Sequence, residues 1–247
     1  MGGVLKAKQQ AKGFKLKDTS YVYEEIRERI VNRELLPGVK INQNQLALEL
    51  GVSRTPVINA LHMLKSGGLL DNSPNKGFYV HSASLQDTLE LYELRQAVEM
   101  IAVGGVAEYA DLEDIRACRD AFLPFLDQKH IDVAEYAKVD RMFHSRLIEL
   151  SQNSMLQNVN QSVLLLSKLF SSGSMRSPKE TLQGHLDIAE ALLKRDGKLA
   201  KQLTHEHLGR SLNVVKSAVD RLREMGIDPR KIAVSDSILS NLHEEKE

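Results

Sequence analysis

Residues 42–70, NQNQLALELGVSRTPVINALHMLKSGGLL, contain two short helical patterns held apart by the tight Gly51-Val52-Ser53 connection. That arrangement predicts a helix-turn-helix. Asn42 followed three residues later by Gln45 reads as a capping-box start, and Leu46 and Leu50 lie one turn apart on one face. Gly51 supplies the stop. Ser53 is an N-cap for a second helix, and Pro56 falls in its first turn, where a missing backbone N–H does no harm. Val57, Ala60, Leu61 and Leu64 form the buried stripe of that helix. Arg54, Thr55, Ile58, Asn59, His62 and Lys65 are left outside, a mostly hydrogen-bonding face suited to a major groove.

The run GVSRTPV, followed by AL, L and GLL, resembles the DNA-binding domain of the GntR family of bacterial repressors. The resemblance implies a winged helix over roughly the first third of the chain. Where the family usually places a basic and an acidic residue after TPV, this chain has Ile58 and Asn59. Ile58 cannot neutralise a phosphate, although it suits a thymine methyl, and Asn59 reads adenine only if it points at the groove.

Working outward, helix one is predicted over Tyr21 to Arg33, with Val22, Ile26 and Ile30 inward and Leu35-Leu36-Pro37-Gly38 as its end. Val39-Lys40-Ile41 is then read as one short strand and Gly77-Phe78-Tyr79-Val80 as a second, together making the wing. Gly77 at the wing tip would let backbone approach the minor groove, with Lys76 as the neighbouring cation. Residues 1–18, with Lys6, Lys8, Lys12, Lys15 and Lys17, read as a basic arm. The domain scheme is therefore an arm (1–18), a winged helix-turn-helix (19–80), a linker (81–84), an all-α bundle (85–226) and a tail (227–247).

Charge supports that division. Residues 1–80 carry 12 Lys and Arg against 7 Asp and Glu, whereas the whole chain balances 33 against 33, so the second part is acidic. DNA contact is thereby expected at one end only. A single cysteine, Cys118, excludes an intramolecular disulfide, and no apolar run approaches membrane-spanning length. The Lys-dotted start is not read as a signal peptide, so the expected location is cytoplasmic, with no membrane partner.

From Ser84 onward the pattern is helical: about 84–109, 111–129, 132–151, 154–172, 177–195 and 197–225, separated by Asp111, Asp132, Asn153, Ser177 and Asp196-Gly197. Short loops imply an antiparallel helical bundle, so the fold class is mainly α. One more short helix is expected near Pro229 in the tail.

The third of these helices carries a carboxylate in an apolar stripe. On a wheel of about 100° per residue, Val133, Tyr136, Ala137, Phe143, His144, Leu147 and Ile148 surround Asp140. Unpaired there, it would cost several kcal/mol or take a proton, so a cation should meet it. His144 lies one turn away, and His185 and His207 each sit inside an apolar stripe of another helix; His205 points roughly opposite and is set aside. One Asp and three His make a ligand set for Zn²⁺, Ni²⁺ or Mn²⁺, with Zn²⁺ the default.

This arrangement is similar to the FCD effector-binding domain of the FadR subfamily, which often holds a metal on one Asp or Asn and three His. That pattern falls on Asp140 and His144 in DRMFH, His185 in GHLDIAEALL and His207 in AKQLTHEHL, and LYELRQAVE supplies the Arg95 and Glu99 of its opening helix. Arg95 is read in two ways, as an intrahelical ion pair with Glu99 or as a clamp for an effector carboxylate. The resemblance implies a small organic acid as effector.

The expected mechanism is a ligand-switched repressor. A homodimer would present two recognition helices to an inverted-repeat operator, Arg54 and Thr55 leading the contacts, Asn59 and His62 adding to them, and Lys65 and Lys76 holding phosphate. Two alternatives stay open: a sensor whose signal is the metal itself, and a metal-dependent hydrolase, for which Glu180, Glu190 and Glu206 show no placement as general base.

Overall fold

The computed structural model describes residues 18–74, 76–160, 166 and 176–234, so the lysines of the arm, the later part of the helix expected over 154–172 and residues 235–247 lie outside what is described. The chain divides into two compact units, Met1–His81 and Ser82–Glu247.

In the first unit α1 spans Thr19–Val31, starting where the Asp18 carboxylate accepts from Tyr21 N–H at 3.0 Å. It begins and ends two residues earlier than its pattern suggested, because Asp18 is the better cap; Val22, Ile26 and Ile30 are buried as expected. Helix α2, Gln43–Leu50, is capped by Asn42 and stopped by Gly51, whose φ of +65° is the left-handed conformation that favours glycine. Helix α3, Arg54–Ser66, follows at once and buries Val57, Ala60, Leu61 and Leu64.

The wing differs from its expected form. Its hairpin pairs β1, Leu70–Ser73, with β2, Gly77–Val80, in antiparallel register from Leu70↔Val80 to Ser73↔Gly77. Residues 39–41 lie along β2 without forming a strand: Ile41 N–H donates to Phe78 O and Val80 N–H to Val39 O, but only Lys40↔Tyr79 qualifies as a bridge. The turn at Ser73–Lys76 closes the shorter loop, so strand pairing goes to the neighbour in sequence. Pro37 and the positive φ of Gly38 keep the earlier stretch irregular.

The second unit opens with α4, Leu85–Tyr109, held by a reciprocal capping box between Ser84 and Asp87. Helix α5 runs Leu112–Asp120, α6 Val133–Leu150, α7 Pro178–Leu193 and α8 Gly197–Glu224. Residues 154–160 are also helical. The helix expected over 111–129 is broken: α5 ends at Asp120 and a 3₁₀ turn covers Leu123–Phe125. Pro124 explains the break, since it lacks the N–H that would continue the α-helical ladder past Asp120. As a result Phe122 and Phe125 turn fully into the core formed with Tyr136, Phe143, Leu147, Ile188 and Leu192.

Beyond α8 a short 3₁₀ turn at Pro229–Lys231 leads the chain back against the start of α4. There Leu85 N–H donates to Ile232 O at 3.0 Å and Val234 N–H to Ala83 O at 2.8 Å. Among the described residues no helix is long and apolar enough to cross a membrane.

Candidate metal centre and nucleic-acid interface

Three helices of the second unit bring His144 (α6), His185 (α7) and His207 (α8) together, each buried and each offering a ring nitrogen within 4.8 Å of the other two. Asp140, one turn before His144, reaches one edge of that triangle. Its Oδ1 is 3.1 Å from His185 Nε2 and 3.9 Å from His144 Nε2. Asp140 is less enclosed than its stripe implied, with its side chain 19% exposed, and Val133 at the start of the stripe is exposed. His205 is exposed, as expected.

Hydrogen bonds behind the imidazoles set which nitrogen faces inward. Glu99 of α4 accepts from His144 Nδ1–H at 2.5 Å, leaving Nε2 as the lone pair. Behind His185, Thr181 Oγ1 lies 3.3 Å from the carbonyls of Ser177 and Pro178 and 2.9 Å from Tyr136 OH, which is 3.1 Å from His185 Nδ1. Those carbonyls only accept, so the Thr181 hydroxyl donates to them and takes the Tyr136 proton. The phenol oxygen then accepts from His185 Nδ1–H. Both Nε2 atoms thus present lone pairs to each other at 3.3 Å, beside the Asp140 carboxylate. Two nitrogens each about 2.1 Å from one tetrahedral ion stand roughly 3.4 Å apart, so this spacing fits a shared cation. His207 Nδ1 is buried with no hydrogen-bond partner, and it packs so close to Gly184 that a Cβ there would lie 2.5 Å from it.

Charge states favour the same occupant. Burial, then the proximity of His185 and His144, holds His207 well below the usual imidazole range; burial outweighs the Asp140 contact and holds His185 below it too. Burial by itself would raise the Asp140 carboxyl, but its 3.1 Å approach to His185, the proximity of His144 and the Arg95 guanidinium hold it far below the carboxylate range. The centre therefore offers neutral imidazoles at His185 and His207 and an ionised acid at Asp140, the donor forms a divalent metal requires. Phe122 stacks on the His185 ring at 4.5 Å and 8°, while Phe143 stands edge-on to it, so water is excluded on that side.

Arg95 makes the ion pair foreseen for it, with a buried Glu99 and a guanidinium that is itself largely enclosed. Its Nε donates to Glu99 Oε1 at 3.1 Å, and the guanidinium lies 5.3 Å from the Tyr92 ring centroid. Among the described residues neither Nη atom makes a hydrogen bond, which leaves that edge for an anion. Burial pushes the Tyr92 phenol up to about 12, so it stays a neutral donor. Glu99 is the residue that sequence reasoning under-read. It is 1% exposed and bridges Arg95 to His144, and burial, which by itself would raise its carboxyl, is outweighed by those two partners, so it is held below the usual range. Its i,i+4 spacing from Arg95 showed one partner; the other sits on a different helix and left no signal.

In the first unit Arg54, Thr55, Asn59, His62 and Lys65 are all exposed on α3, on the side away from its core stripe. His62 stands edge-on to Phe78 at 5.1 Å, so its ring leans toward the wing. Lys76 is exposed, and Gly77 takes φ +94° with Lys40 Cε 3.8 Å from where a Cβ would sit. Arg54, Lys76 and Gly77 share one surface depression with Lys40, Asn42, Gln43 and Asn44. Lys40, Gln43 and Asn44 were not singled out in the sequence; only the return of residues 38–41 along β2 brings them beside Arg54. Lys40, Arg54 and Lys76 thus place three cations around the residues that start α2, a positive notch.

A winged helix-turn-helix followed by a helical bundle defines a class of bacterial transcription regulator. The chain belongs to the GntR family: its description, "Bacterial regulatory proteins, gntR family", matches residues 19–80, and "FCD domain" matches residues 90–210. The Nta operon transcriptional regulator of Aminobacter aminovorans is 32% identical over 206 residues, covering 81% of this chain and 98% of that protein. HTH-type transcriptional repressor RspR of Escherichia coli K12 is 25% identical, covering 84% and 91%. Among solved structures, a GntR regulator from Rhodococcus sp. RHA1 superposes with a TM-score of 0.65 at 23% identity, covering 81% of this chain and 98% of that one. E. coli McbR/YncC superposes at 0.61 and 19%, covering 81% and 97%. At those identities the structural likeness speaks for the fold alone. The protein is a transcriptional regulator of the GntR family with an FCD domain.

Proposed function

We propose that this regulator is a repressor whose hold on its operator is switched by a small carboxylate metabolite, recognised at a metal held by Asp140, His144, His185 and His207. One observation carries the reading: two imidazole lone pairs and a carboxylate oxygen converge within 3.1 to 3.9 Å of one another inside the helical bundle, with a third imidazole beside them. Acceptors so placed repel unless a cation lies between them. A bound divalent ion, Zn²⁺ by default, would supply Lewis-acid sites for a carboxylate or hydroxyl oxygen. Arg95 would receive the carboxylate through its Nη edge, the Tyr92 hydroxyl would add a donor, and Phe122 and Phe143 would keep the pocket dry.

At the other end, Arg54 and Thr55 at the start of α3 would meet bases or phosphates, with Asn59 and His62 further along the groove face. Lys40, Lys65 and Lys76 would neutralise phosphate, and Gly77 would bring wing backbone to the minor groove. A homodimer carrying two such faces would select an inverted repeat. A ligand can switch that dimer only by binding one arrangement better than another. The hydrolase alternative finds little support: Glu180 is bound to Ser177 in a capping box, Glu190 accepts from Arg119, and Glu206 accepts from Gln202 on the surface.

The test is His144→Ala. The variant is expected to lose bound metal and the response to organic acids while keeping operator binding. Metal content equal to wild type, measured by plasma emission on purified protein, would refute the site. A thermal-shift screen of the metal-loaded protein against organic acids then identifies the effector class, since a ligand bound only by the folded state raises the midpoint.

A further inference from the structure

Glu99 would touch neither the metal nor the effector itself, yet among the described residues it is the best-enclosed acid of the second unit, and it uses both oxygens. Oε2 takes the Nδ1 proton of His144 at 2.5 Å and Oε1 takes the Nε proton of Arg95 at 3.1 Å. We propose that Glu99 is a positioning residue that couples anion recognition at Arg95 to metal affinity at His144; the inference rests on the metal reading given above.

The argument is one of shared charge. A carboxylate behind a metal-binding imidazole fixes the ring's tautomer and direction and raises its basicity, and such partners are typically worth about 10–100-fold in metal affinity. Here the same carboxylate also answers a guanidinium, which draws its electron density away from His144. When an external anion engages Arg95, the guanidinium divides its charge between two carboxylates. Glu99 is then released toward His144, whose Nε2 becomes a stronger donor. Anion and metal should therefore bind with positive cooperativity, and by linkage the effect runs equally both ways. An Arg95–Glu99 pair that served helix stability alone would leave metal affinity untouched.

Zinc alone, titrated into chelator-stripped full-length protein against a competing dye, tests this without knowledge of the effector. Glu99→Gln is expected to weaken zinc binding roughly 10–100-fold. Arg95→Gln mimics removal of the guanidinium from Glu99 and is expected to tighten zinc binding severalfold. That gain should shrink sharply when Glu99 is already Gln, although any direct repulsion between Arg95 and the ion persists in both backgrounds. Equal factors in the two backgrounds overturn the coupling. Should Glu99→Gln fold poorly because Arg95 is left uncompensated, the double variant, which removes both charges, is compared with Arg95→Gln and must still bind zinc more weakly. A second readout is the His144 Nδ1 proton in NMR spectra, far downfield in the wild type and moved upfield in Glu99→Gln; an unmoved resonance also counts against the proposal. Zinc binding by the wild type with no loss in Glu99→Gln overturns the coupling only, whereas a wild type that binds no zinc overturns the metal reading as well.

Discussion

Asp140, Glu99, His185 and His207 all have their proton affinity lowered by folding. For a group whose folded value is depressed, the contribution to stability is complete above the unfolded value and is lost as pH falls below it. The histidine contribution begins to be lost near 6.5, and that of the two carboxylates near 4, continuing below it. Metal-free protein is therefore expected to melt at progressively lower temperature as pH is taken below about 6.5, and a midpoint that rises over that range would contradict the buried neutral imidazoles. These four residues were unequally legible in the sequence. Asp140 and His144 announce themselves by helical spacing, and His185 and His207 by lying inside apolar stripes. Glu99 acquires its second role from a contact 45 positions away, and Gly184 its closeness to His207 from the crossing of two helices. Spacing along one helix reports only that helix.

Most caps and stops were readable at the level of elements, although Ser53 starts α3 without a side-chain cap bond and the Gln45 side chain turns to Glu49 rather than back to Asn42. Asn42, Asp111, Asp132 and Asp196 each accept a backbone N–H at a helix start, and Gly51 has the left-handed backbone its place after Leu50 implies. Two elements were not readable. Leu69-Leu70 looks like the end of α3, so the first strand of the wing was hidden in an apolar run, and the period of α5 continues past the point where Pro124 breaks it. The break matters to the site, because it is what turns Phe122 flat onto His185. For the recognition helix, Arg54→Ala should weaken operator binding and reduce the slope of log affinity against log salt by about 1, as expected for one lost phosphate contact. An unchanged slope would remove Arg54 from the phosphate contacts.

Taken whole, the chain separates a unit ending at His81, which carries the cationic notch, from one beginning at Ser82, which carries the imidazole cluster. Zinc should accordingly slow hydrogen exchange in α4, α6, α7 and α8, where its proposed ligands and Glu99 reside, because opening any of them would cost the binding energy. Protection of residues 19–80 by zinc alone would instead favour the ion itself as the signal. The Tyr136 hydroxyl, wedged between Thr181 and the back of His185, has one more consequence. The chain contains 6 tyrosines and no tryptophan, so its ultraviolet emission comes wholly from phenols. One of those emitters is hydrogen-bonded to an imidazole of the cluster. Metal binding at His185 should therefore change the intensity of the protein's own glow, an optical gauge of occupancy that needs no dye.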